Sequence, residues 1–417
     1  MPVQDLTQLR SMVERTVAAV PIMDVHTHLF SPSFGEMLLW GFDELVCYHY
    51  LIAETMRAIN MPYEQYWAMS RKEQADLIWQ TLFIDNSPYS EACRGVLTVL
   101  DKLGLDVASR DVNSYREYFK NVTVEEYVDR VFAVANLESV VMTNDPFDPT
   151  ERIVWQQEIA SDPRFLTALR IDPLLIAWER SYEQLAGWGY GVDRNLTAET
   201  LSEVRRFLSD WIKKINPVYM AVSLSADFVF PDESVQAKLI AECVLPVARE
   251  FNIPFALMIG VKRQVNPGLR VAGDGIGKAD IKAVEYLCAH YPHNKFLVTM
   301  LARENQHELA VTARKFRNLH IFGCWWFLNN PSLIEEMTRM RFELLGLGVT
   351  PQHSDARVLD QVIYKWSHSR EIIGRVLADK YCDIARTGWQ VTEAEVRRDV
   401  QKLFGGGFRE FLQLELG

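Results

Sequence analysis

The 417-residue sequence has no CxxC pair, no uninterrupted apolar stretch of about 18 residues and no excess of basic charge. Each absence excludes something. The six cysteines (Cys47, Cys93, Cys243, Cys288, Cys324 and Cys382) are scattered through a chain too large to need disulfide staples, and they read as reduced, packed thiols. Without a long apolar run there is no candidate membrane span. The opening "MPVQDLTQLRSMVERTVAAV" carries charges throughout and places Leu6, Leu9, Val13 and Val17 at helical spacing, unlike a signal peptide. A net charge of -11 gives no basic face to neutralise phosphates, which argues against nucleic-acid or anionic-membrane partners. These features imply a cytoplasmic protein, in which the N-x-T sequons at Asn121 and Asn195 carry no weight. The glycine-rich "AGDGIGKAD" (272–280) has Ala272 and Ala279 where a phosphate loop needs glycine and Ser or Thr, so it reads as a mobile rim loop.

What is present is an alternation of short apolar runs with helical stretches. Eight runs qualify as strands: 21–26, 139–145, 165–171, 218–224, 254–260, 295–301, 319–325 and 348–354. Most are continuously apolar, as strands buried on both faces must be. Eight such units match an α/β fold of the (β/α)8 barrel type, whose chemistry sits where the strands end. The chain then reads as one domain, 1–417. About a hundred residues between the first two runs lack any strand signal, and segments such as "FDELVCYHYLIAETMRAI" are amphipathic at helical spacing. A helical insertion over 36–137 is expected, with further helices over 370–417, where "TEAE" (392–395) has capping-box spacing.

Nine histidines are present, and two of them, His26 and His28, close the first run in "PIMDVHTHLF". On an extended segment i and i+2 face the same side, so the pair can hold one metal ion, or it can be a hydrogen-bonded structural pair. Asp355, in "PQHSDAR" at the end of the eighth run, lies beside the first strand once a barrel closes, where it can complete the ligand set or cap the next helix. His353 reads as a satisfied interior histidine. Arg170 ends an apolar strand and needs an anion, either a bound carboxylate or Asp172. Of Trp325 and Trp326, one indole should face the mouth and the other the helical shell, with both lying in the core as the default. His49 and Tyr50 sit on the amphipathic insertion helix, where packing alone would explain them.

Taken together and in order, "MDVHTHLF", "ELVCYHYLIAE", "FLTALRIDP", "FGCWWF" and "PQHSDAR" resemble the uronate isomerase family of the amidohydrolase superfamily, in its shorter, divergent bacterial branch. The resemblance implies an aldose–ketose isomerase that converts D-glucuronate to D-fructuronate and D-galacturonate to D-tagaturonate, and a homo-oligomer. It implies one divalent metal, usually Zn2+, on His26, His28 and Asp355. It implies substrate contacts from His49, Arg170 and Trp325, and catalytic roles for Tyr50, Asp355 and Arg357. Tyr50 would remove the C2 proton of a cis-enediolate mechanism, its phenol pKa lowered by Arg357. The alternative is a mononuclear amidohydrolase acting on a sugar-acid lactone, ester or amide. Runs four to six end "AVSLSAD", "LMIGVKR" and "TMLAREN" without the histidines with which many hydrolases furnish their sites, which disfavours it.

Overall fold

The computed structural model describes residues 5–157 and 162–416. Nine strands form one sheet: β1 Ile22–Asp24, β2 Leu137–Asn144, β3 Phe165–Arg170, β4 Met220–Ser225, β5 Phe255–Lys262, β6 Gly275–Ile276, β7 Phe296–Met300, β8 Leu319–Phe322 and β9 Val349–Thr350. Eight of these run parallel in the order β1-β2-β3-β4-β5-β7-β8-β9, and each coincides with one of the eight apolar runs. The sheet curls until its two ends meet. There the amide of Asp355 donates to His26 O (3.1 Å), that of His28 to Ala356 O (2.8 Å), and that of Ser354 to the Asp24 carboxylate (3.0 Å).

Burial on both faces explains why these segments are strands. All five residues of β7 and seven of the eight in β5 are buried. Successive side chains alternate between two apolar clusters. Tyr219, Ala221, Ala256 and Met258 join an inner cluster, while Met220, Val222, Leu257 and Ile259 pack outward with the helices. Phe408 and Phe411, from the helix Gly407–Gln413, belong to the inner cluster. That helix sits where the strands begin: Lys295 Nζ, just before β7, donates to Leu412 O, and Arg409 pairs with Glu138 at the start of β2 (2.8 Å).

Helices fill the connection from β1 to β2. The single expected helix over 42–59 is two, Phe42–Val46 and His49–Ala58, broken where Tyr48 turns extended (ψ 141°). A helix at Val112–Lys120 has no counterpart among the expected segments. Asp360 ties this region to the C-terminal helices by accepting from Gly41 N (2.9 Å) and the Tyr127 hydroxyl (2.5 Å). Residue 370, the expected start of the tail, lies inside the helix Gln361–Arg386. Thr392 and Glu395 form the expected reciprocal capping box.

The glycine-rich rim segment is hydrogen-bonded to its surroundings. β6 pairs antiparallel with the end of β5, Asp274 accepts from Arg263 (2.6 Å) and Gln264 N (2.8 Å), and Ala279 N donates to Asn305 (3.1 Å). Among the described residues no helix is long and apolar enough to cross a membrane.

Candidate metal centre

The chain leaves β1 at Asp24 and carries His26 and His28 onto the rim where the strands end. Their Nε2 atoms stand 3.5 and 3.3 Å from one oxygen, Asp355 Oδ1. Asp355 adopts a left-handed backbone (φ 51°), a conformation uncommon for a residue with a side chain. Its amide bond to His26 O holds it there.

The hydrogen bonds behind the two rings decide what their front atoms are. The Tyr219 hydroxyl has one proton; donated to Val25 O (2.9 Å), an atom that can only accept, it leaves the oxygen to accept in its 3.0 Å contact with His26 Nδ1, the arrangement that satisfies all three groups. Nδ1 therefore carries the proton and Nε2 is a bare lone pair. The same logic holds at His28. Thr143 Oγ1 donates to Thr27 O (3.1 Å) and so accepts from His28 Nδ1 (2.9 Å), again leaving Nε2 unprotonated. Burial, followed by the nearby Arg357, pushes His28 down to about 3, so the imidazole is neutral at ordinary pH.

In this tautomer two imidazole lone pairs and a carboxylate oxygen face one another with no proton between them. His26 Nε2 and Asp355 Oδ1 are buried without any hydrogen-bond partner, an arrangement that costs free energy unless a cation fills it. The three donor atoms lie within 4.8 Å of one another. A tetrahedral centre with bonds of about 2.0–2.1 Å has donor–donor edges of about 3.3 Å. The observed 3.3 and 3.5 Å fit that edge. The residues present fit a divalent metal.

Arg170 and Trp325 share a small cavity with His26 and His28. Asp172 is Arg170's partner, accepting from Nε (2.8 Å) and Nη2 (3.3 Å), and it is itself fixed by Ser223 N (3.1 Å). The pairing uses the Nε/Nη2 edge of the guanidinium and leaves Nη1 without a hydrogen bond among the described residues. Arg357 forms no side-chain hydrogen bond or ion pair among the described residues. Roomier clefts exist on the surface, but they contain none of the three metal-type donors.

Both tryptophans belong to the inner cluster, in line with the core reading: Trp325 lines the cavity, and Trp326 donates from its indole to His49 Nε2 (3.3 Å). Other expectations are corrected here. Tyr50 stacks on Phe327 (5.2 Å between centroids), and its hydroxyl is buried without a partner. Its phenol is pushed well above the ordinary value, because burial outweighs the opposing charge of Arg357, where the sequence reading expected a lowered pKa. His353 is interior, as expected, but neither of its ring nitrogens has a partner. Tyr219 and Thr143 were missed. The available signal was a hydroxyl among the apolar residues of each run, "VYMAVSL" and "SVVMTND", where Ser223 and Ser139 carry hydroxyls as well. No histidine stands at the ends of β4, β5 or β7.

A uronate isomerase from Bacillus halodurans C-125 shares 57% sequence identity with this chain, and the two structures agree with a TM-score of 0.97 over 99% of this chain and 97% of the other. A uronate isomerase from Thermotoga maritima (16% identity, TM-score 0.76, 97% of each chain) has the same fold. So does a glucuronate isomerase from Caulobacter crescentus (15% identity, TM-score 0.75, 99% of this chain and 95% of that one). No family model matches the chain, and no curated protein does.

Proposed function

Because the chain belongs to the uronate isomerase family and is an aldose–ketose isomerase, we propose that it interconverts D-glucuronate with D-fructuronate and D-galacturonate with D-tagaturonate at the rim where the parallel strands end. The observation that carries the reading onto this chain's residues is the convergence of His26 Nε2, His28 Nε2 and Asp355 Oδ1 beside Arg170. We read the curled sheet as a (β/α)8 barrel in a single domain of 1–417, with 36–137 as a helical insertion over its mouth and 370–417 as C-terminal helices. The insertion supplies His49 and Tyr50, which meet Trp326 and Phe327 from the far side of the site.

His26, His28 and Asp355 would hold the metal, and a nitrogen-rich donor set of this kind suits zinc better than magnesium or calcium. When bound, the ion supplies Lewis-acid polarisation of a substrate oxygen. Arg170 grips the sugar carboxylate through Nη1, oriented by Asp172. His49 and Trp325 wall the sugar in. Isomerisation moves the C2 proton to C1 through a cis-enediolate, while the aldehyde oxygen gains a proton and the C2 hydroxyl loses one. Tyr50 exchanges the proton at C2. Burial raises its phenol and the charge of Arg357 opposes that shift, favouring the phenolate that a base at C2 requires. Asp355, acceptor-only in its ionised form, takes the hydroxyl proton whose removal opens the ring.

We also infer a cytoplasmic location, since all six cysteines are free and buried. The partners are small uronates rather than nucleic acid or membrane, in line with the net charge of -11. Self-association is the family's further implication. The test is to incubate zinc-reconstituted protein with each uronate and with a sugar-acid lactone, and to separate the products by chromatography. Ketouronates from the free acids support the isomerase, whereas lactone opening without ketouronate would favour a hydrolase.

A further inference from the structure

Tyr219 is fully buried at the start of β4, and no step of the proposed reaction uses it. Its ring is held edge-on by Phe322 (6.0 Å) and by Phe408 of the C-terminal helix (6.3 Å, 88°). The hydroxyl therefore has one place to be, between Val25 O and His26 Nδ1. The neutral imidazole has two tautomers, and at His26 they have opposite consequences. With the proton on Nδ1, Nε2 is a ligand. With the proton on Nε2, it points at Asp355 Oδ1, 3.5 Å away, and a histidine–carboxylate pair can satisfy both atoms without any ion. His28 faces the same choice, and there the Thr143 hydroxyl decides it.

We infer that the hydroxyls of Tyr219 and Thr143 are positioning groups that hold His26 and His28 in the metal-binding tautomer, and that Phe408 of the C-terminal helix supports the first of them. The inference rests on the reading of His26, His28 and Asp355 as metal ligands. Removing either hydroxyl frees the ring to donate from Nε2 to Asp355, so apo protein keeps its stability while affinity for the ion falls. Groups that orient ligating histidines are typically worth about 10- to 100-fold in metal affinity.

The experiment strips the full-length chain of metal and titrates Zn2+ against a chromophoric chelator, with the apo thermal midpoint measured alongside. Tyr219→Phe and Thr143→Val are expected to bind about 10- to 100-fold more weakly at an apo midpoint close to that of the parent. Thr143→Ser, which keeps a hydroxyl, should bind as the parent does, and Phe408→Leu should show a smaller loss than Tyr219→Phe. If Tyr219→Phe fails to fold, the comparison of Thr143→Val with Thr143→Ser decides. Equal affinity in both pairs, parent with Tyr219→Phe and Ser with Val, overturns the inference. A parent chain that binds no zinc overturns instead the assignment of the ligands.

Discussion

His26 Nε2 lies 3.5 Å from Asp355 Oδ1, and neither atom has a hydrogen-bond partner although both are buried. With His26 protonated on Nδ1, these are two acceptors in contact inside the protein, and a bound cation satisfies both. Chelation should therefore abolish isomerase activity, and adding one equivalent of zinc should restore it. His26→Ala and Asp355→Ala should each lose the metal, measurable by elemental analysis of the purified chain. Full activity after exhaustive chelation would remove the cation from the mechanism.

Arg170 is held by Asp172 through Nε and Nη2, and its Nη1 has no hydrogen bond among the described residues. Arg170→Ala should raise KM for D-glucuronate by roughly 10- to 100-fold, the loss of a charge-assisted hydrogen-bonded pair, with a smaller effect on kcat. Asp172→Asn should raise KM as well, because the guanidinium loses the partner that aims it. Steady-state kinetics separates this from a general loss of folding, which would lower active enzyme and leave KM alone.

Tyr50 has a buried, unpartnered hydroxyl. Tyr50→Phe keeps the ring stacked on Phe327 and removes only the proton carrier. Turnover should fall roughly 100- to 10,000-fold with KM little changed. An unchanged kcat would assign the C2 proton to another group.

Burial lowers His320, which contacts the Thr350 hydroxyl and stacks on Phe411, to about 4. The unfolded chain takes up this proton near pH 6.5, whereas the folded one resists until about 4. Stability from this group is thus present above about pH 6.5 and lost as pH falls toward 4, by up to a few kcal/mol. Urea unfolding of the parent should weaken across that window. In His320→Phe the slope against pH should be shallower.

Gly323 has φ 75°, and a Cβ there would lie 2.1 Å from His353 Cδ2 and 2.9 Å from the His353 backbone nitrogen. Gly323→Ala should destabilise the fold by about 2 kcal/mol or more, since backbone strain adds to the collision. Denaturant midpoints would show it.

All eight parallel strands were legible in the sequence, because strands buried on both faces must be apolar throughout and cannot hide. The break at Cys47–Tyr48 was not, because helical spacing of apolar residues runs straight through it. β6 is two residues long and gives no periodicity. In the site, His26, His28 and Asp355 were visible as residue types at strand ends. The hydroxyls of Tyr219 and Thr143 looked like ordinary strand residues, since nothing local says that they meet imidazoles 193 and 115 positions away. The protonation of Tyr50 was misread for a related reason. An arginine can be named from sequence, but the burial that outweighs its charge belongs to the folded state.

The most direct measurement is proton NMR of D-glucuronate incubated in D2O with the zinc-reconstituted protein. Appearance of D-fructuronate with deuterium at C1 is the expected result, since the C2 proton passes through an exchangeable group before C1 receives one. Unchanged D-glucuronate and D-galacturonate under conditions where the protein holds its metal would contradict the substrate assignment.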